Sequence, residues 1–109
     1  MDKITENLRV ELRRGTLVMM VLSVCQKEEY GYVIVERLGA LGIKVEASTL
    51  YPLLRRLESQ GLLFSHWDTS EARPRKYYLL SAQGHTVLGA LKEEWQRMQD
   101  EMKKIGELS

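Results

Sequence analysis

The chain has 109 residues, 44% of them hydrophobic and 28% charged, with a formal net charge of +1. That composition excludes a disordered or collagen-like polymer and describes one globular domain, or one domain with a helical extension. Cys25 is the single cysteine, which excludes an internal disulfide and a four-cysteine metal site and points to a reducing, cytoplasmic setting.

Ile4, Leu8 and Leu12 recur every four residues and lead into the apolar run LVMMVLSVC at 17–25. The run is too short to cross a bilayer and predicts a buried helix segment. No basic-then-apolar secretion signal precedes it. A first helix is expected over 4–26, weakened at Gly15, followed by a break at QKEEYG. A second helix runs from Tyr30 to Ala40, with Val33, Ile34, Leu38 and Leu41 on one side. The third carries Leu50, Leu53, Leu54 and Leu57 at the i, i+3, i+4, i+7 spacing and stops at Gly61, a left-handed cap position. Pro52 is tolerated if Thr49 is the N-cap, because it then occupies the third helical position. LLFSHWD and RKYYLL, separated by TSEARP, read as a β-hairpin with a six-residue tip. Ser81 caps a last helix to about Lys104, along which Leu88, Leu91, Trp95, Met98, Met102 and Ile105 form a heptad seam.

Three helices, a hairpin and a terminal helix spell a mainly α fold, a winged helix-turn-helix with a C-terminal dimerisation helix. The expected division is a winged-helix DNA-binding domain at 1–80, whose first helix also serves the dimer, and a dimerisation helix at 81–109.

The leucine stripe leaves Ser48, Pro52, Arg55 and Ser59 near the opposite pole of the third helix, with Tyr51 and Arg56 on the flanks. Arginines among small polar groups suit base edges and phosphates of a major groove. An ordinary solvated face is the competing reading. Charge distribution favours DNA modestly: segment 47–76 holds five basic against three acidic residues, a net of +2, whereas 1–46 is neutral. Arg73, Arg75 and Lys76 cluster at the hairpin tip, within reach of phosphates or a minor groove. A mixed-charge solubilising turn is the alternative there. The heptad seam outruns the domain and calls for a partner; Leu8 and Leu12 of the first helix are expected to contribute, and two copies would face a pseudo-palindromic double-stranded operator. Trp95, bulky and carrying an N–H, is either a packing residue or one wall of a flat pocket shared with pliable Met98 and Met102. His66 and His85 have no motif partners, and no HExxH, glycine-rich phosphate loop or paired-cysteine site occurs, so no enzyme, cofactor or metal is expected.

The stretches RRGTLVMMVL, YGYVIVERL, STLYPLLRRLESQGLL and RPRKYYLLSAQG resemble the PadR family of bacterial transcriptional regulators over nearly the whole chain. The resemblance implies a homodimeric repressor released by an effector. It places DNA contacts at Tyr32, Ser48, Thr49, Tyr51, Arg55 and Arg56, with Arg73, Arg75 and Lys76 on the backbone. The single helix after Ser81 is similar to the small members of the family; in the multidrug-responsive ones a tryptophan on the last helix stacks on flat aromatic compounds at the dimer centre, and LSAQGHTVLGALKEEWQRM puts Trp95 at that place. Glu71 and Ala72 stand where the family often has glycines. A winged-helix protein–protein interaction module without DNA binding is the alternative function.

Overall fold

The structure, a computed structural model, describes residues 2–107. Helix α1, Lys3–Val24, opens on Asp2, whose carboxylate accepts the Thr5 backbone N–H at 2.7 Å. It stops short of residue 26, where the Gln26 N–H turns back to the Ser23 carbonyl at 3.4 Å, and the free Cys25 carbonyl accepts the Leu80 N–H at 2.8 Å. Helices α2, Gly31–Ala40, and α3, Ala47–Ser59, end alike. Gly42 and Gly61 take φ of 82° and 79°, and the following residues Ile43 and Leu62 donate back to Leu38 and Leu57 at 2.8 and 3.0 Å. Only glycine adopts that left-handed conformation without strain, so each turn is fixed by its sequence. Leu41, expected on the buried side of α2, is instead the exposed C-cap of that turn.

The start of α3 corrects the expected Thr49 cap. Glu46 is the N-cap, and its carbonyl accepts the N–H groups of Thr49 and Leu50 at 3.0 and 2.9 Å. Pro52 therefore sits in the second turn, where it has no N–H to offer the Ser48 carbonyl. Ser48 is exposed, which leaves that carbonyl on the solvent side of the helix rather than in the core.

The hairpin, β2 at Leu63–Asp68 and β3 at Arg75–Leu80, has the expected tip of residues 69–74. A third strand, β1 at Glu29–Tyr30, pairs antiparallel with the other edge of β3 and gives the order β1–β3–β2. The sequence reading treated β1 as a break, since two residues carry no period.

Helix α4, Ala82–Glu107, is capped by Ser81, whose Oγ accepts the Gly84 N–H at 2.9 Å. One core joins all elements: Val21 and Leu22 of α1, Ile34 and Leu38 of α2, Leu50, Leu54 and Leu57 of α3, and Leu63, Tyr78 and Leu80 of the sheet. Leu88 lies in the same core at 3% exposure, and Leu91 packs beside it. The first turns of the seam are thus buried within the chain, and its open part begins at Trp95. Among the described residues, no helix is long and apolar enough to cross a membrane.

Gly84 holds α4 against the wing. A Cβ at this position would stand 2.2 Å from the Leu62 carbonyl oxygen and 2.6 Å from Leu80 Cδ1. Backbone cannot yield as a flexible side chain does. Gly84→Ala is expected to cost about 3 kcal/mol in denaturant unfolding at fixed protein concentration. Gly89→Ala, with open space around it, is expected to gain about 0.5–1 kcal/mol.

Candidate nucleic-acid interface

Burial of Leu50, Leu54 and Leu57 turns Ser48, Thr49, Pro52, Arg55, Arg56 and Ser59 of α3 outward. Tyr51 lies half-buried beneath Gly31, where a Cβ would come within 2.8 Å of its ring. The absence of a side chain at Gly31 lets the start of α2 close over that tyrosine.

Glu58 ties the wing to the last turn of α3. Its carboxylate accepts from Ser65 Oγ of β2 and from Lys76 Nζ of β3, the latter at 3.1 Å. The Ser65 hydroxyl, with Lys76 assisting, holds Glu58 below the usual carboxylate range. Burial works against the Lys76 charge, but Glu58 and the Tyr78 phenol together more than offset it, and the ammonium titrates above its ordinary value. The Lys76 ammonium also lies 5.9 Å from the Trp67 ring centre and 5.3 Å from that of Tyr78.

An aromatic stack supports the other wing cation. The Tyr30 ring lies 3.8 Å from Tyr77 and 5.7 Å from Tyr32, and the Arg75 guanidinium packs over Tyr30 and Tyr32 at 5.2 and 5.6 Å. Arg75 donates to the Tyr32 hydroxyl at 3.3 Å and pairs with Glu71 at 3.3 Å. Glu71 of the wing tip therefore holds Arg75. Tyr77 donates to the Tyr30 hydroxyl, which donates to Asp68; the Tyr77 bond, then burial, pushes the Tyr30 phenol up.

These elements enclose a cleft of about 670 Å³ between α3 and the wing. Tyr32, Tyr51, Arg55, Arg73, Arg75 and Lys76, six of the sequence candidates, line it together. Ser48, Thr49 and Arg56 do not. Arg55 and Arg73 have no ion pair with any described residue. Four cations framing one open groove suit a polyanion. Cys25 lies far from this chemistry: burial pushes its thiol up to about 12, so it stays protonated at neutral pH. Among the described residues no cluster of His, Cys, Asp or Glu could hold a metal ion.

At the other end of the chain, α1 and α4 leave an apolar hollow of about 190 Å³ lined by Leu12, Gly15, Met19, Trp95 and Met98. Trp95 is 39% exposed there. Leu8 and Leu12 of α1, with Met98, Met102 and Ile105 of α4, lie exposed on either side.

Residues 18–90 match the family model described as the transcriptional regulator PadR-like family. The chain belongs to the PadR-like family of transcriptional regulators. It is 32% identical over 79 residues to Transcriptional regulator Rv3488 of Mycobacterium tuberculosis, covering 72% of this chain and 74% of the relative. A PadR family regulator from Eggerthella lenta is 49% identical with a TM-score of 0.88, covering 95% of this chain and 93% of the other. A transcriptional regulator from Clostridium thermocellum is 26% identical with a TM-score of 0.81, covering 86% and 96%. The winged-helix fold is the fold of this family, and its members are regulators rather than enzymes.

Within this PadR-like chain five residues outside the sequence candidates also line the cleft, Tyr30, Gly31, Trp67, Pro74 and Tyr78, and two of them support its cations. Trp67 is 62% exposed and lies opposite Lys76 in the hairpin register. Counting back from the six-residue tip reveals that pairing, but a tryptophan in a strand first suggests core. Tyr30 backs Arg75 from the unrecognised strand β1, which no sequence period marks.

The lowered Glu58 carboxylate predicts a pH dependence. Its contribution is fully present above its unfolded value of 4.5 and is lost as pH falls through the lower folded value. Glu58→Gln is expected to cost about 1 kcal/mol at pH 7. The gap to wild type, followed by denaturant unfolding, should narrow as pH is taken below 4.5.

Proposed function

We propose that this chain is a homodimeric repressor that binds a pseudo-palindromic operator and is released when a flat aromatic molecule binds beside Trp95. The observation that carries the DNA half is the cleft, where Tyr51 and Arg55 of α3 meet Tyr32 of α2 and Arg73, Arg75 and Lys76 of the wing. In this reading α3 enters the major groove with Ser48, Thr49, Tyr51, Arg55 and Arg56. The wing cations take the adjacent backbone. Glu58 fixes the angle between helix and wing, so both reach the duplex in one geometry.

Self-association is supported by the apolar faces that one chain leaves open. Leu8 and Leu12 on α1, and Trp95, Met98, Met102 and Ile105 on α4, are exposed in two stripes that belong to long helices. Helices of 22 and 26 residues with exposed apolar stripes are stabilised by burying them, and a two-fold dimer buries both at once. The hollow beside Trp95 is then bounded by a partner chain, which gives a planar aromatic ligand two walls. Such a ligand releases DNA by favouring a dimer geometry in which the two α3 helices no longer match the operator spacing. The protein acts in the cytoplasm, where its operator lies.

Arg73→Ala, present in both protomers, is expected to weaken operator binding and lower the slope of log affinity against log salt by about two, with sequence preference intact. Arg55→Ala is expected to cost about 1–3 kcal/mol and to relax preference at one base pair. Both are read by fluorescence anisotropy across salt concentrations. Trp95→Ala should bind acridine, flavin and anthraquinone dyes at least tenfold more weakly by calorimetry; wild-type affinity for all of them contradicts the effector half.

A further inference from the structure

The recognition helix has a second flank with its own cations. On a helix turning about 100° per residue, Tyr51 and Arg55 lie about 200° and 240° round from Thr49. The cleft beside the wing therefore borders one side of α3, and Thr49 borders the other. Arg56 lies within about 20° of Thr49, two turns further along. Against that second side the structure holds another open hollow, of about 490 Å³, between α1, the α2–α3 turn and Thr49. Arg13, Arg14 and Lys44 line it, opposed by a single carboxylate, Glu46. None of the three cations has an ion pair with a described residue. The floor is apolar, with Val10, Leu17 and Val45, which suits long cationic side chains that rest their stems and keep their heads in water.

We infer that Arg13, Arg14 and Lys44 form a second backbone-binding surface, which grips the phosphate strand on the side of α3 away from the wing. This rests on the DNA-binding reading and extends it. A helix in the major groove fills a channel about 12 Å wide and has a phosphate strand on both sides. The wing serves one strand only, and two of its cations are already engaged, Arg75 by Glu71 and Lys76 by Glu58. Without the α1 and turn cluster, Arg56 alone would meet the other strand. With it, cations border α3 on both sides, and the docking angle is fixed from both.

The test is the triple substitution Arg13→Gln, Arg14→Gln, Lys44→Gln in the full chain. Affinity for a selected operator duplex is measured by anisotropy across salt, beside wild type and Arg73→Ala. Loss of three phosphate contacts from each protomer should lower the salt slope of the dimer by about five units and weaken binding at low salt at least tenfold. The preferred sequence should not change, because phosphate contacts carry no base information. Sedimentation and thermal unfolding should match wild type, since these residues lie outside the Leu8–Leu12 stripe and the core. A steep wild-type slope that Arg73→Ala lowers and the triple variant leaves intact overturns this inference alone and assigns the hollow to another ligand. A variant that loses the dimer also overturns it, because the cluster would then be structural. A wild-type chain that binds no duplex overturns the DNA reading and this inference together.

Discussion

Ser81 sits where the recognition helix, the wing and the last helix meet. Its Oγ donates to the Gly61 carbonyl at 2.6 Å and accepts the Gly84 N–H at 2.9 Å, while its own N–H bonds the Leu62 carbonyl at 3.0 Å. The left-handed turn at Gly61 and the missing side chain at Gly84 allow that approach. All of this is short-range, largely buried and backbone-rich, so it has little freedom to flex. The functional consequence is mechanical. In the proposed reading, an altered tilt of α4 would pass through Ser81 into the end of α3, rather than being lost in a loose linker.

The second constraint is electrostatic. A net charge of +1 gives the chain no long-range attraction worth noting, so local placement has to do the work. Glu58 and Glu71 sit among the wing cations and reduce their net field while fixing their positions. Preorganised cations lose less side-chain entropy on binding than mobile ones, and this offsets part of the charge they give up. Among the described residues Arg55 and Arg73 have no ion-pair partner, and they line the cleft beside the aromatic rings of Tyr30, Tyr32 and Tyr51.

The sequence disclosed elements wherever a period ran long enough. The leucine stripe of α3, the seam of α4 and the Ser81 cap were legible because each repeats or follows a known cap chemistry. Strand β1 was not, since Glu29 and Tyr30 are ordered by pairing with β3 rather than by any pattern of their own. The start of α3 was misplaced because Thr49 has the better capping side chain, whereas the chain caps with the Glu46 carbonyl and carries Pro52 a turn deeper. Site residues were legible singly and not as groups. Adjacent Arg55 and Arg56 fall on different flanks of one helix, and only the tertiary approach of α1 to the α2–α3 turn brings Arg13 and Arg14 beside Thr49. Leu88 satisfied the heptad spacing equally well as a core residue, and the core took it.

The central claim is that two copies of this cleft read one operator. Selection from a random-sequence duplex pool, followed by sequencing of the retained fraction, tests it most directly. The account predicts an enriched inverted repeat whose half-sites lie about 10 base pairs, or a multiple, apart. Enrichment of a single unrepeated site, or of no sequence at all, would contradict it.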